Sequence, residues 1–364
     1  MRLNVESLHY AETVPQDSQR RTFSFPIALN IRRFIHQTRP EKFDEMATEE
    51  WEGHGMDLVL VMGLTGAGKT YFINQLTGQG LAEGHNLASC TETCQIVATN
   101  IGNTEFAIMD CPGFDDTRRS DADILKEISE QLSAIRIIGF NLKGIIYLRR
   151  ITDNRMAGSE VRTLDFFQKL VGEEALPHVV LATTMWQKVV DLEEANDRDS
   201  ELRDEYWGEM RRKGSSATRF EGTTDSAQGI VSQLLGKRPV VLKVQEQLVD
   251  QRMSLNQTEA GAFLEPKIGI DEEKFRKRLK ELEIEIQTEK DANKRLQAKQ
   301  SVRRNAAGLK KRMEDKETIK SKPGVEVQNR MSKLKEGTRK YGKSAAQVLA
   351  AVCSITFTLV QFLI

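Results

Sequence analysis

Unbroken apolar runs alternate with amphipathic stretches through the middle of the chain. Residues 58–62, Leu-Val-Leu-Val-Met, form a run of strand length in which every position is apolar, which is typical of a strand buried on both faces. Similar short runs predict further strands at 95–101, 105–110, 144–148, 178–183 and 217–220. Apolar positions at helical spacing predict helices at 69–77, 120–138, 160–171, 199–212 and 225–235.

This alternation predicts the topology of a central domain. Strands separated by helices imply mostly parallel pairing with right-handed crossovers. The dipeptide Gly102-Asn103 lies between two predicted strands and favours a tight hairpin at that point. Residues 56–237 are therefore predicted to form a three-layer α/β domain with a mostly parallel sheet, preceded by an N-terminal extension at 1–55.

A charged helical region is predicted to follow the domain, at 238–343. Val241, Leu248 and Leu255 recur every seven residues, but the apolar seam fails by Glu289. The pattern leaves two interpretations open, a partly coiled-coil region and a long charged helix or helical hairpin.

The last twenty residues, 345–364, hold 15 apolar residues and no charge. As a helix they would reach about 30 Å, which is enough to cross a bilayer. A hydrophobic C-terminal helix is therefore predicted over 344–364. It would serve either as a membrane anchor or as a helix that packs on the domain or on a partner.

Charge is divided unevenly along the chain. The sequence has 53 basic and 53 acidic residues, yet residues 293–343 hold 17 Lys or Arg against 5 Asp or Glu. Such a basic segment indicates a polyanion or an anionic membrane as partner. Because its one aromatic residue is Tyr341, a phospholipid surface is favoured over nucleic acid. The few cysteines and the polar N-terminus indicate a cytoplasmic chain, tail-anchored if 344–364 spans a membrane.

A phosphate-binding motif lies between the first predicted strand and the first predicted helix. It matches GxxxxGK[ST] and consists of Gly63, Leu64, Thr65, Gly66, Ala67, Gly68, Lys69 and Thr70. Glycines let the backbone fold around a phosphate with its N–H groups facing inward, and the helix start adds positive potential. Lys69 is expected to reach the β- and γ-phosphates and the Thr70 hydroxyl to bind Mg²⁺, with Tyr71 ending the nucleotide-binding segment.

A second motif, Asp110-Cys111-Pro112-Gly113, ends the predicted strand 105–110, about 40 residues after the first motif. An acid at the end of a strand beside the phosphate loop can hold Mg²⁺ through water. Gly113 leaves its N–H open to a γ-phosphate, which gives it a predicted catalytic role. The motif resembles the DxxG motif of GTPases.

The segment 84–94 lies between the two motifs and carries several hydroxyls. A loop that senses a γ-phosphate needs a hydroxyl to complete the Mg²⁺ shell. Thr91 is the first candidate for this metal-binding and catalytic role and Thr93 the second, while ordinary loop hydroxyls are the alternative. His85 is a candidate for positioning water or for stabilising charge across a dimer.

Residues 89–95 (SCTETCQ) and 110–116 (DCPGFDD), with the hairpin between them, resemble the septin-like GTPases of the translation-factor-related class. They are most similar to the immunity-associated (GIMAP) GTPases, with the chloroplast-envelope Toc receptors as relatives. The resemblance covers 57–237. It implies a Ras-like sheet with an antiparallel edge strand, binding of GTP, GDP and Mg²⁺, and a homodimer formed through the nucleotide face. Several members of the family also have a C-terminal apolar anchor.

The sequence departs from that family pattern at the base-reading motif. The usual N/TKxD ends in an acid that accepts from guanine, but Thr183-Thr184-Met185-Trp186 contains none and Asp191 has the wrong spacing. Guanine is still favoured over adenine. Thr184 and Trp186 are predicted to meet the base, with a core role as the alternative for Trp186. The loop 222–227 is interpreted as touching the base through backbone groups.

The second departure concerns the residue after Gly113, where Ras-like enzymes place a glutamine that orients water. Phe114 stands there instead and cannot do so, which predicts slow hydrolysis assisted by a partner or a second protomer. Candidates for that contact, each with a solvated surface role as the alternative, are Arg118, Arg119, Arg149 and Arg150.

These observations predict a slow GTPase switch that acts at a membrane. Two other functions stay open. The first is a nucleotide-bound scaffold with negligible turnover, and the second is an ATP-using enzyme with a phosphate-binding loop.

Overall fold

The computed structural model describes residues 55–78, 95–114 and 119–341, with side chains described as far as residue 333. The predictions for the N-terminal extension, for the C-terminal helix and for four single residues lie outside this part of the chain. Those four residues are His85, Thr91, Thr93 and Arg118.

Six strands form one sheet in the order β2-β3-β1-β4-β5-β6. Their bounds are β1 Asp57–Gly63, β2 Gln95–Ile101, β3 Thr104–Asp110, β4 Asn141–Arg150, β5 Val179–Thr184 and β6 Ser216–Arg219. All neighbours pair in parallel except β2 and β3, which form an antiparallel hairpin that turns between Ile101 and Thr104. The predicted mostly parallel sheet with an edge hairpin is therefore confirmed.

In the described part of the chain, nine α-helices of five or more residues flank and follow the sheet. Those of the α/β domain are α1 Lys69–Thr77, α2 Asp121–Ile138, α3 Gly158–Val171, α4 Leu192–Glu201, α5 Gly208–Arg212 and α6 Thr224–Leu235. Three longer helices follow, α7 Glu259–Thr288, α8 Ala292–Thr318 and α9 Pro323–Tyr341. Short helical turns lie at Glu173–His178, Trp186–Lys188, Leu202–Tyr206, Lys243–Gln245, Glu246–Asp250 and Leu255–Gln257.

The single helix predicted at 199–212 was wrong in its bounds. Helix α4 begins at Leu192, where the Asp191 carboxylate accepts a hydrogen bond from the Glu194 N–H at 3.1 Å. This cap starts the helix seven residues before the predicted position. A wider turn, in which the Trp207 N–H donates to the Leu202 carbonyl at 2.8 Å, then separates α4 from α5. Trp207 is fully buried at this break.

Two apolar layers cover the two faces of the sheet. Helices α1 and α6 cover one face, where buried residues such as Phe72 and Ile230 pack against Val59 and Val61 of β1. Helices α2 and α3 cover the other face, through residues such as Leu132 and Phe167. A sheet covered on both faces explains why its central strands are apolar at every position.

The C-terminal helices extend the second apolar layer. Leu242, Leu248 and Leu264 belong to the same buried cluster as α2 and α3, and the Gln245 side chain donates to the Leu132 carbonyl at 2.9 Å. The helical region therefore shares a core with the α/β domain.

Helices α7 and α8 form an antiparallel hairpin, one of the two arrangements that the sequence left open. A Cβ on Gly308 of α8 would lie 2.5 Å from the Phe275 ring of α7, so the glycine lets the two helices approach closely. No helix in the described part of the chain has the length and apolar character needed to cross a bilayer.

Candidate functional site

The phosphate-binding motif forms the turn between β1 and α1. Its backbone is left-handed at three glycines, with φ of 140° at Gly63, 75° at Gly66 and 87° at Gly68. Side chains rarely adopt these angles, which explains why the motif needs glycine there. Gly68 is also the N-terminal cap of α1, so the loop opens at the positive end of a helix. This geometry suits a phosphate group.

Lys69 lies over the loop that it follows. Its side chain is buried, and the ammonium donates to the carbonyls of Leu64 at 2.9 Å and Gly63 at 3.3 Å. A buried cation held at the mouth of a loop of backbone N–H groups places positive charge where an anion would bind.

Thr70 and Asp110 meet beside the loop. Asp110 ends β3, whose parallel pairing with β1 places it opposite Val61. The Thr70 hydroxyl donates to Asp110 Oδ2 at 2.7 Å. A hydroxyl and a carboxylate are the hard oxygen ligands that Mg²⁺ prefers, and Mg²⁺ commonly completes its octahedron with water and phosphate. Within the described residues, no group of three or more His, Cys, Asp or Glu side chains is placed so that it could hold a metal ion.

Gly113 packs directly against the phosphate loop. A Cβ on Gly113 would lie 2.3 Å from Thr65 Oγ1 and 2.7 Å from the Thr65 nitrogen. No side chain can fit there unless the backbone moves. The motif 110–113 therefore contacts the phosphate loop 63–70. Such a contact is needed if Gly113 is to reach a γ-phosphate held by that loop.

Phe114 turns away from the loop into the core. It is buried, and its ring lies 5.6 Å from the Phe166 ring and 6.3 Å from the Phe167 ring, measured between centroids. An apolar side chain in this position neither accepts from nor donates to water.

The end of β5 reaches the same loop from the other side. The Thr184 hydroxyl donates to the Ala67 carbonyl at 2.9 Å. The backbone then turns through Met185, whose φ of 64° is unusual for a residue other than glycine. Three residues after Thr184, the Gln187 amide donates to the Glu221 carbonyl, while the Tyr71 hydroxyl donates to the neighbouring Gly222 carbonyl at 3.0 Å. These contacts bring together the ends of β5 and β6 and the start of α1.

Trp186 is held as part of a small core. The side chain is 9% exposed and belongs to a buried cluster with Ile151 and Ala195. The Arg219 guanidinium lies over its ring at 4.0 Å from the centroid, and its indole N–H donates to Thr183 Oγ1 at 3.1 Å. Of the two roles that the sequence left open for Trp186, this placement favours the core.

A buried carboxylate fixes this arrangement. Asp199 of α4 accepts from the Thr183 hydroxyl at 3.0 Å and from Arg203 and Arg219 at 2.9 Å. Both oxygens are satisfied by charge-assisted or hydroxyl donors, which makes a buried acid tolerable. Arg219 and Trp186 are positioned as a consequence.

The candidate arginines occupy different environments. Arg149 is buried and paired with Glu160 at 2.5 Å, so it cannot reach another molecule as placed. Arg119 pairs with Glu127. Arg150 pairs with Asp153 at 2.8 Å, and its Nη1 lies 3.0 Å from where a Cβ on Gly66 would be. Among the described arginines proposed to assist hydrolysis, Arg150 therefore lies beside the phosphate loop.

Sequence reasoning missed the position of Gln187. The spacing of the N/TKxD motif could have identified it. When Thr184 is taken as the first residue of the motif, Gln187 occupies the fourth position, where the motif has its acid. Two threonines end the strand, so the first residue of that count is ambiguous until the Thr184–Ala67 contact is known.

Comparison with known proteins supports a GTPase fold. Residues 58–184, about a third of the chain, match a family model described as 50S ribosome-binding GTPase. Together with the sheet order and the phosphate loop, this match identifies the α/β unit as a P-loop GTPase domain. The match does not distinguish the septin-like or immunity-associated class, which stays a prediction. No curated protein matches the chain.

Several solved structures are similar to part of this chain at low identity. Toc33 from Arabidopsis thaliana, in complex with Mg²⁺ and GMPPNP, is 15% identical with a TM-score of 0.41, over 59% of this chain and 96% of that one. Era from Aquifex aeolicus, bound to GDP and AlF4⁻, is 14% identical with a TM-score of 0.38, over 51% and 58%. The elongation factor SelB from Methanococcus maripaludis, with a GTP analogue, is 15% identical with a TM-score of 0.34, over 51% and 35%.

Proposed function

We propose that this P-loop GTPase domain binds GTP and GDP with Mg²⁺, hydrolyses GTP slowly, and acts as a nucleotide switch at a membrane. The observation that carries the proposal is the contact of 2.7 Å between Thr70 and Asp110, formed beside a glycine loop that Lys69 covers. A candidate anion site and a candidate site for a hard cation thus lie side by side, which is what a nucleoside triphosphate with Mg²⁺ requires.

Each residue has a defined part in this proposal. The N–H groups of the loop 63–70 bind the phosphates, and Lys69 exchanges its carbonyl contacts for phosphate oxygens. Thr70 would hold Mg²⁺ directly and Asp110 through water, with the Thr91 hydroxyl completing the shell. When bound, Mg²⁺ would neutralise charge at the phosphates. Gly113 offers its N–H to the γ-phosphate from a position against Thr65.

Slow turnover follows from the position of Phe114. The Phe114 side chain is buried against Phe166 and Phe167. The residue after Gly113 therefore cannot orient the attacking water. We propose that a second protomer, docked on the nucleotide face, supplies the side chain that orients the attacking water. Arg150, beside Gly66, lies where it would meet either the phosphates or that protomer.

Guanine is the base that we propose, with adenine as the alternative. Thr184 supports the loop through Ala67. We propose that Gln187 and the backbone of Gly222, which lie close together at the ends of β5 and β6, meet the base edge. Competition of GTP and ATP for a fluorescent GDP analogue bound to the full chain tests this choice. Displacement by GTP at a concentration well below that needed for ATP supports the proposal, and the reverse order would favour an ATP-using enzyme.

The competing function is a nucleotide-bound scaffold without useful turnover, which the burial of Phe114 favours. Single-turnover release of phosphate from GTP, measured over a range of protein concentrations, separates the two. A rate that rises with protein concentration supports hydrolysis activated by a second protomer. A flat rate near zero would leave the scaffold as the better description.

The membrane part of the proposal rests on charge and on sequence. The basic segment 293–343 precedes the apolar residues 345–364, and cations beside an apolar span favour an anionic cytoplasmic surface.

A further inference from the structure

Helix α8 carries an unusual segregation of charge. Between residues 292 and 313 it has eight Lys or Arg residues and no Asp or Glu. The neighbouring helix α7 instead mixes both signs along its length. Mixed charges would keep an exposed helix soluble equally well, so solubility alone does not explain the excess of cations on α8.

The cations are concentrated on one face of α8. At about 100° per residue, Arg295, Lys299, Arg303 and Lys310 fall within an arc of about 80°. All four are exposed. Two exposed apolar side chains, Leu296 at 56% and Met313 at 48%, fall on or at the edge of the same arc. We call this set of six residues the basic face.

The rest of the circumference of α8 is already occupied. Ala298 and Asp315 are buried outside the basic face, Gly308 packs against Phe275, and Lys311 reaches Asp123 of α2 at 2.6 Å. Because these contacts fix the rotation of α8, the basic face is directed away from the rest of the molecule.

The acids of the protein do not neutralise the basic face. Within the described residues, Arg295, Lys299 and Arg303 form no ion pair, although the Arg295 guanidinium donates to the Glu289 carbonyl at 2.8 Å. Lys310 lies 3.8 Å from Glu314, a long contact between exposed groups. The face therefore presents nearly its full positive charge to a partner.

We infer that the basic face of α8 docks on the headgroups of an anionic lipid bilayer. Four cations within an arc, over a length of about 22 Å, complement a flat layer of phosphates. Leu296 and Met313 can enter the boundary between headgroups and acyl chains, as on helices that lie in a membrane interface. The stretch 292–313 has no aromatic residue for stacking on bases, which disfavours single-stranded nucleic acid. This inference deepens the membrane part of the proposed function and does not depend on nucleotide binding.

Vesicle co-sedimentation of the full chain tests the inference. The probes are vesicles of phosphatidylcholine alone and vesicles with about one-third phosphatidylserine. The test variant combines Lys299→Gln, Arg303→Gln and Lys310→Gln. The matched control combines Lys274→Gln, Lys277→Gln and Lys280→Gln, which removes the same charge from exposed positions of α7.

We expect the α8 variant to lose most of its binding to the vesicles that contain phosphatidylserine. Each cation near an anionic surface contributes about a fivefold gain in partitioning, so the α8 variant should lose about 100-fold of the gain due to phosphatidylserine. The α7 control should keep most of that gain, and binding by the unchanged chain should fall at high salt.

Three outcomes would overturn the inference. They are equal binding of neutral and anionic vesicles by the unchanged chain, equal losses in the α7 and α8 variants, and loss of oligonucleotide binding with vesicle binding intact in the α8 variant. Circular dichroism of both variants establishes that they are folded. GTP binding measured on the same samples should be unchanged, so failure here is distinguishable from failure of the nucleotide proposal.

Discussion

Single residues decide how closely the two motifs of the site approach each other. Gly113 lies against Thr65 with no room for a Cβ, and the Thr184 hydroxyl joins the end of β5 to the loop at the Ala67 carbonyl. Lys69 closes the loop on itself through the carbonyls of Gly63 and Leu64. Substitutions at these positions should act through geometry as well as through charge.

Gly113→Ala should lower the free energy of unfolding by about 1–3 kcal/mol, because the new Cβ would meet the Thr65 backbone. Gly229→Ala is the matched control. Gly229 lies in α6 with nothing within 4 Å of its Cβ position, and alanine there should stabilise the helix by about 1 kcal/mol. Urea unfolding of both variants measures the difference. Equal stability of the two variants would contradict the close packing of Gly113 on the loop.

Gln187→Asp should raise the affinity for GTP relative to ATP by about tenfold. A carboxylate can accept from both guanine N1–H and N2–H, and hydrogen bonds to charged groups are worth about 1.5–3 kcal/mol. Competition binding measures the ratio, with Gln228→Asp in α6 as a charge control. An unchanged ratio would mean that Gln187 does not face the base.

At the scale of elements, ion pairs join the helical region to α2. Lys311 of α8 contacts Asp123 at 2.6 Å, and Lys267 of α7 contacts Asp121 at 3.0 Å. Burial raises the pKa of Asp123, but hydrogen bonds from Lys311 and Ser120 outweigh it and hold the net pKa below its ordinary value. The first turn of α2, just after the DxxG motif, is thereby linked to α7 and α8.

This pair should make stability depend on pH in a defined direction. A carboxyl group whose pKa is lowered by folding contributes stability above its unfolded pKa of about 3.9, and that contribution is lost as pH falls through the folded pKa. Lys311→Met should therefore lower the free energy of unfolding at neutral pH, by about 1 kcal/mol for the partly exposed pair with Asp123. Loss of the 3.6 Å contact with the buried Asp315 adds to this cost. The difference from the unchanged chain should shrink below pH 4. A difference that grows in acid would contradict this assignment.

The elements that the sequence predicted best are those fixed by local pattern. A few neighbouring residues determine the conformation of each of these elements. They are the run 58–62, the hairpin at Gly102-Asn103 and the glycine loop. The start of α4 was missed because the Asp191 cap lies in a polar stretch with little apolar periodicity. The base-side residues were missed because their positions depend on contacts between distant segments, such as Thr184 with Ala67.

At the scale of the whole molecule, the α/β domain and the helical region share one apolar layer. Leu242, Val244, Leu248 and Leu264 lie in the buried cluster that covers α2 and α3. The sequence suggested a boundary near residue 237, but no local pattern reveals that the next thirty residues complete the core of the domain before them. Only the packed structure gives that relationship.

A chain that ends at Arg238 should therefore unfold at a lower temperature than the full chain, or without a cooperative transition. The truncation would expose the apolar surfaces of α2 and α3 that Leu242 and Leu248 cover. A chain that ends at Lys343 is the matched control, since it keeps every helix of the described region. Differential scanning calorimetry of both chains measures the effect. Equal melting temperatures would show that the shared core contributes little.

Calorimetric titration of the full chain with GTP, with and without Mg²⁺, tests whether the loop 63–70 binds the phosphates. We predict one site per chain, weaker binding when Mg²⁺ is removed, and a loss of affinity of about 10–100-fold in Lys69→Met, which removes one contact to a charged group. Absence of binding by GTP and GDP, or undiminished binding in Lys69→Met, would contradict the assignment of the loop 63–70 as the phosphate site.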